Sequence, residues 1–203
     1  MAMPLPIEIR ASLLEALLPY RAAHRNVRWL SPDSWHLTLL FLGDVPAGEA
    51  PALASLVDAI AAERRPIEIA IEGGDGRLQG RGHVAWLKVG KGAGSLLAVA
   101  DELQRRIASE IDGIPAARRP VSAHLTVARK ADAGVISALR ERRRGPIEAG
   151  WLADRISLMR SHLESGGSRY ETLHEARCTL TGTTSKARLE IRRPIDGEEV
   201  EDP

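Results

Sequence analysis

The tetrapeptide His36-Leu37-Thr38-Leu39 recurs 88 residues later as His124-Leu125-Thr126-Val127, and this repetition constrains the fold more than any other feature of the chain. Each copy alternates a polar with an apolar residue. On an extended strand successive side chains point to opposite faces, so His36 and Thr38 share one face and Leu37 and Leu39 the other. The same holds for His124 and Thr126 against Leu125 and Val127. The flanks agree, with Ser34-Trp35 before one copy, Ser122-Ala123 before the other, and a proline, Pro32 or Pro120, upstream of each. Two His-apolar-Thr-apolar matches arise by chance in roughly one sequence of this composition in a thousand. The expectation is one structural unit used twice, two strands about a pseudo-twofold axis, with two imidazoles and two hydroxyls converging on one cleft.

That set of groups suits cleavage of a phosphodiester. One neutral histidine takes a proton from an attacking water while a protonated one donates to the departing oxygen, and imidazole supplies both forms near neutrality. Thr38 and Thr126 can hydrogen-bond the non-bridging phosphate oxygens as charge builds there. On the residues alone the two histidines are interchangeable. A zinc hydrolase would also use histidine, but the chain has no His-Glu-x-x-His and no cysteine pair. A module that binds an RNA end or phosphate without turning it over is the alternative from another class, and it has no need of two proton-transfer groups. His24, His83, His162 and His174 lack the following threonine and are assigned no catalytic role.

Around the repeats, apolar residues spaced three and four apart predict helices over Pro46 to Arg65, Gly94 to Ile111 and Ala131 to Arg144. A fourth, Ser12 to His24, is expected to be interrupted at Pro19. Strand character marks Pro4 to Ile9, Val27 to Leu30, His36 to Leu42, Ile67 to Ile71, Val84 to Val89, His124 to Ala128, Ile147 to Met159 and Tyr170 to Leu180. This order lacks a regular βαβα alternation, so an α+β fold with antiparallel sheets is expected. Gly73-Gly74-Asp75-Gly76 and Gly90-Lys91-Gly92-Ala93-Gly94 do not end in Gly-Lys-Ser/Thr and read as turns.

Composition narrows the class. A net charge of +1 with 27% charged residues gives no overall pull toward long nucleic acid, so any such contact is local. The single cysteine, Cys178, reads as a small core residue and suits a reducing compartment. No leader pattern and no apolar stretch of the roughly 20 residues needed for a membrane span is present, so the chain is expected to be soluble and cytoplasmic. Residues 1–187 are expected to form one bilobed domain and residues 188–203 a charged, disordered tail.

The chain resembles the 2H phosphoesterase superfamily, and within it the RNA 2′,3′-cyclic phosphodiesterase or bacterial 2′-5′ RNA ligase family. The two His-x-Thr-x tetrapeptides carry the resemblance. It extends to Arg28-Trp29, Phe41-Leu42-Gly43, Val84-Ala85-Trp86-Leu87, the Ala128-Arg129 that follows the second copy, and Ser161, Leu163, Gly167, Tyr170 and Leu173. It implies a bilobed α+β fold in which two pseudo-symmetric antiparallel sheets face a central cleft, with helices on the outer faces. It also implies hydrolysis of an RNA or nucleoside 2′,3′-cyclic phosphate to the 2′-phosphate, with no metal or cofactor, minor reversible 2′-5′ RNA ligation, and a monomer that meets RNA ends or nucleotides bearing the cyclic phosphate. His36 and His124 are then catalytic and Thr38, Thr126 and Arg129 bind substrate, with His124 activating water and His36 protonating the leaving oxygen. Arg129 lies five places after His124, so only a bend or bulge would turn it to the histidine face. Arg28, Arg77 and Arg81 read as surface charges, and base stacking is expected to rest on Trp35, Trp86 or Trp151.

Overall fold

In the computed structural model, residues 1–78, 83–114, 122–143, 145, 147–164 and 167–180 are described. The expected tail at 188–203, Pro120 and Arg81 lie outside them. Among the described residues four α-helices, α1 (Ile7–Ala23), α2 (Ala50–Ala62), α3 (Ala93–Glu110) and α4 (Ala133–Arg140), accompany nine strands. The strands are β1 (Ala2–Pro4), β2 (Arg28–Trp29), β3 (His36–Thr38), β4 (Ile67–Arg77), β5 (Val84–Val89), β6 (His124–Arg129), β7 (Glu148–Ala153), β8 (Arg155–Glu164) and β9 (Gly167–Arg177).

All named strand pairs are antiparallel, in the order β7-β4-β5-β6-β3-β1-β8-β9, with β2 attached to β6. The curled sheet divides into halves, β7-β4-β5-β6 and β3-β1-β8-β9, that meet at one residue pair, Leu37 opposite Leu125. The strand on each side of that seam carries a His-x-Thr copy, so the expected bilobed α+β architecture is present. Leu37 and Leu125 are 2% and 0% exposed. Each such leucine contributes about 1.5–3 kcal/mol by leaving water, which strongly disfavours a one-residue register slip that would turn the histidines inward.

Helices cover the apolar backs of the sheet. Leu53, Leu56, Val57 and Ile60 form the buried stripe of α2, which lies on β8 and β9, while α1 and α4 lie on β7 and β4. The stripe of α3, Leu96, Val99, Leu103 and Ile107, is likewise buried, and α3 packs beside α2 and β4. Among the described residues no helix is long and apolar enough to cross a membrane.

Several sequence expectations shift. The opening strand is Ala2–Pro4, not Pro4 to Ile9, because Pro6 starts α1 at Ile7, and Glu8 suits the positive end of a helix. Pro19 does not interrupt α1: it sits on the exposed face near the C-terminal end, where water can satisfy the carbonyl it leaves unbonded. The run expected from Ile147 to Met159 is two strands, β7 and β8, split at Asp154 and placed in opposite halves of the sheet.

Gly73-Gly74-Asp75-Gly76 is not a turn but the second half of β4. An extra residue between Ile71 and Gly74 makes a bulge in which Gly73 takes φ +83°. A Cβ on Gly74 would stand 2.7 Å from Leu139 Cβ and one on Gly76 2.5 Å from Ile136 Cγ1, so these glycines let α4 press directly onto the strand.

Candidate active site

The two histidines are held by the same local device. His36 Nδ1 lies 3.0 Å from the Ser34 carbonyl and His124 Nδ1 2.7 Å from the Ser122 carbonyl, in each case two residues back. A carbonyl oxygen only accepts, so Nδ1 carries the hydrogen in both rings and Nε2 is the nitrogen left for chemistry. His36, Thr38, His124 and Thr126 are half-buried while Leu37, Leu125 and Val127 are buried, as strand alternation predicts.

The Leu37–Leu125 pair sets the relation between the copies. One step either side of it in the same antiparallel register, Thr126 falls opposite His36 and His124 opposite Thr38. Each imidazole therefore faces the other copy's hydroxyl. Each ring also meets an aromatic neighbour. Tyr170 approaches His36 edge-on at 4.6 Å between centroids and 75°, and Trp86 lies tilted 48° at 5.4 Å from His124.

Burial, partly offset by the Ser34 carbonyl and reinforced first by the nearby amino terminus and then by Arg129 and His124, pushes the His36 imidazole down to about 4. His36 is therefore neutral at physiological pH.

Arg129 reaches the same face through a bulge. Across β5 and β6, Trp86 pairs with Thr126 and Ala85 with Ala128, so Val127 is the extra residue and the parity of β6 reverses after it. Val127 and Ala128 are both buried, and Arg129 emerges on the histidine side. There it lines a cavity of about 880 Å³ together with His36, Thr38, Arg28, Phe41 and Tyr170. His124 and Thr126 are not among its lining residues and stand on the neighbouring strand β6.

Sequence reasoning missed three residues of this wall. Arg28, read as a surface charge, stands in the cavity opposite Arg129. Tyr170 is the edge-on neighbour of His36, a long-range contact visible in the sequence only as part of the closing family block. Phe41, the chain's single phenylalanine, is 62% exposed on the cavity. It is turned there because β3 ends at Thr38, short of the expected Leu42, with the Leu39 and Leu40 amides both donating to the Met1 carbonyl. The three tryptophans expected to stack a base fare differently. Trp35 and Trp151 are 3% and 4% exposed and belong to the core, leaving Trp86 beside His124.

The remaining candidates lie elsewhere. Arg77 is exposed at the end of β4. His162 pairs with Glu171 at 2.7 Å and His174 with Asp58 at 2.8 Å, both on the surface. Cys178 is a free buried thiol. Among the described residues no three His, Cys, Asp or Glu side chains cluster as metal ligands would.

Comparison with known proteins places this geometry. The family profile described as 2′-5′ RNA ligase superfamily matches residues 8–164. The RNA 2′,3′-cyclic phosphodiesterase of Aeropyrum pernix is 32% identical over 165 residues, covering 79% of this chain and 92% of that one. The crystal structure of TT0787 from Thermus thermophilus superposes with TM-score 0.69 at 27% identity, covering 87% of this chain and 95% of that one. E. coli LigT complexed with 3′-AMP does so with TM-score 0.61 at 27% identity, over 88% of this chain and 95% of that one. With both His-x-Thr copies on facing strands of a shared fold, the chain belongs to the 2′-5′ RNA ligase superfamily of 2H phosphoesterases.

Proposed function

We propose that this cleft hydrolyses an RNA or nucleoside 2′,3′-cyclic phosphate to the 2′-phosphate by two-histidine acid–base catalysis without a metal. The observation that carries the reading is the shared Nδ1 tether, which leaves two Nε2 atoms available on adjoining strands beside two threonine hydroxyls. Family membership and relatives named RNA 2′,3′-cyclic phosphodiesterase support the enzyme class. The nucleotide held by LigT supports an RNA or nucleotide ligand.

His124 takes a proton from water, whose oxygen bonds to phosphorus. The bond from phosphorus to the ribose 3′-oxygen breaks, its electron pair leaves on that oxygen, and His36 protonates it. Thr38 and Thr126 donate to the non-bridging oxygens, and the Arg129 guanidinium balances their charge. A phosphate anion beside His36 opposes the lowering by burial, so His36 takes up its proton together with the substrate. Phe41 offers an apolar platform for the base. A ribose 5′-hydroxyl in place of the water gives a 2′-5′ linkage by the same steps, a minor outcome in water.

The test is product analysis with a 2′,3′-cyclic mononucleotide and a cyclic-ended RNA, with a strong chelator present. Release of the 2′-phosphate supports the reading. A 3′-phosphate product, loss of turnover in chelator, or binding without turnover overturns it. An ester with a good leaving group, bis(4-nitrophenyl) phosphate, separates the two histidine roles. His36→Ala should retain much more of its activity on this substrate than His124→Ala, and the reverse order would exchange acid and base.

A further inference from the structure

Arg28 is unused by this mechanism, yet the fold places it with care. The two-residue strand β2 pairs with β6 just past the bulge, with Arg28 directly opposite Arg129 and Trp29 opposite Ala128. The Leu30 amide donates to the Val127 carbonyl at 2.9 Å, fastening β2 to the bulged residue itself. Trp29 anchors the strand from the other side: its Nε1 donates to the His24 carbonyl at 3.1 Å, and the Arg21 guanidinium lies 5.8 Å from its ring centroid.

Two guanidinium groups are thus held side by side on one wall of the cleft. Neither forms an ion pair with a carboxylate among the described residues. One terminal nitrogen of Arg28, Nη2, is buried without a hydrogen-bond partner. Asp44 is the acidic side chain lining the same cavity, against Arg28, Arg129 and Arg160. Two guanidinium charges held side by side on the cavity wall repel one another, and an anion in the cavity relieves that penalty.

The position indicates which anion. Thr126 falls opposite His36, and the bulge makes Arg129 only two residue steps from Thr126 as measured on β5. The arginine pair therefore stands roughly 7 Å along the strand from the histidine–threonine row, on the order of one nucleotide step. Resting on the reaction proposed above, we infer that Arg28 binds the phosphodiester next to the cyclic phosphate and so selects oligonucleotide ends over mononucleotides.

Arg28→Ala and Arg28→Lys are compared with wild type on a trinucleotide ending in a 2′,3′-cyclic phosphate and on the cyclic mononucleotide. In Arg28→Ala the ratio of kcat/KM for trinucleotide over mononucleotide is expected to fall by tenfold or more, with the change in KM. The slope of log(kcat/KM) against log salt for the trinucleotide should flatten by about 0.7, the value for one lost single-strand contact. Arg28→Lys, which keeps the charge and loses the fork, should retain that slope with an intermediate ratio. An unchanged ratio overturns the inference: equal losses on both substrates would place Arg28 on the reacting phosphate, and no loss on either would leave it without a role in binding. Affinities of a 2′-phosphate-ended trinucleotide and a nucleoside 2′-monophosphate apply the same ratio without turnover, so a protein that hydrolyses neither substrate refutes the reaction while the binding ratio still decides Arg28.

Discussion

The two halves of the sheet carry the same four-residue motif in different surroundings. On the first side, His36 and Thr38 pair across to Pro4 and Ala2 of β1, short uncharged residues, and the tethering hydrogen bond of His36 is partly buried. On the second, His124 and Thr126 pair across to Lys88 and Trp86 of β5, and the His124 tether is exposed. Identical backbone tethers fix the tautomer on both sides, while burial lowers His36 to about 4. Duplicating a strand duplicates its geometry. It does not duplicate the dielectric, which depends on what the neighbouring strands supply, so the two imidazoles stand in unequal surroundings.

The comparison breaks most sharply if either histidine is dispensable. His36→Ala and His124→Ala are each expected to lower kcat by about 10²–10⁴ on a cyclic mononucleotide, with little change in thermal unfolding at neutral pH. Near-wild-type turnover in one variant would leave that half of the site as scaffold.

Next in size is the acid response of the buried histidine. The folded His36 sits at about 4, below its ordinary 6.5, so the unfolded chain binds its proton first. Its contribution is fully present above pH 6.5 and is lost as pH falls from 6.5 through 4, up to about 3 kcal/mol. Denaturant unfolding at pH 7 and pH 4.5 should show a smaller loss of stability in His36→Gln than in wild type. Equal losses would mean that His36 is no more buried than an ordinary surface histidine.

The threonines come third. Thr38→Val and Thr126→Val remove a donor to a charged oxygen, worth about 1.5–3 kcal/mol, so kcat/KM should fall by roughly ten- to a hundredfold in each. A large effect at one and none at the other would show that the phosphate sits against a single strand.

The smallest effects belong to the aromatic neighbours. Tyr170→Leu and Trp86→Leu each remove a ring contact of about 0.5–1.5 kcal/mol. They should lower kcat by less than about tenfold, and Tyr170→Leu, by admitting water, should also raise the pKa of His36 as followed by imidazole NMR.

Much of this was legible beforehand because its cause is local. Alternation along His36–Thr38 and His124–Thr126 identified the inward-facing groups, and the stripes of α2 and α3 followed from three- and four-residue spacing. The misreadings came from residues whose local preference was outweighed by a distant contact. Gly74 and Gly76 look like turn residues until Leu139 and Ile136 occupy the space that their side chains would fill. Trp35 and Trp151 looked available for stacking, but the core buries them. The Arg28–Arg129 pairing joins residues about a hundred positions apart through a bulge, and no periodicity in either segment announces it.

The sequence by itself determined the candidate acid–base groups and their shared facing, since side-chain direction along a strand depends only on parity. Tertiary structure decided how those groups differ and what surrounds them. The Leu37–Leu125 seam put each histidine opposite the other copy's threonine, the Val127 bulge turned Arg129 inward, and the packing around β3 lowered His36. Register, bulges and burial depend on which strands become neighbours, and strand neighbours are chosen by the whole fold.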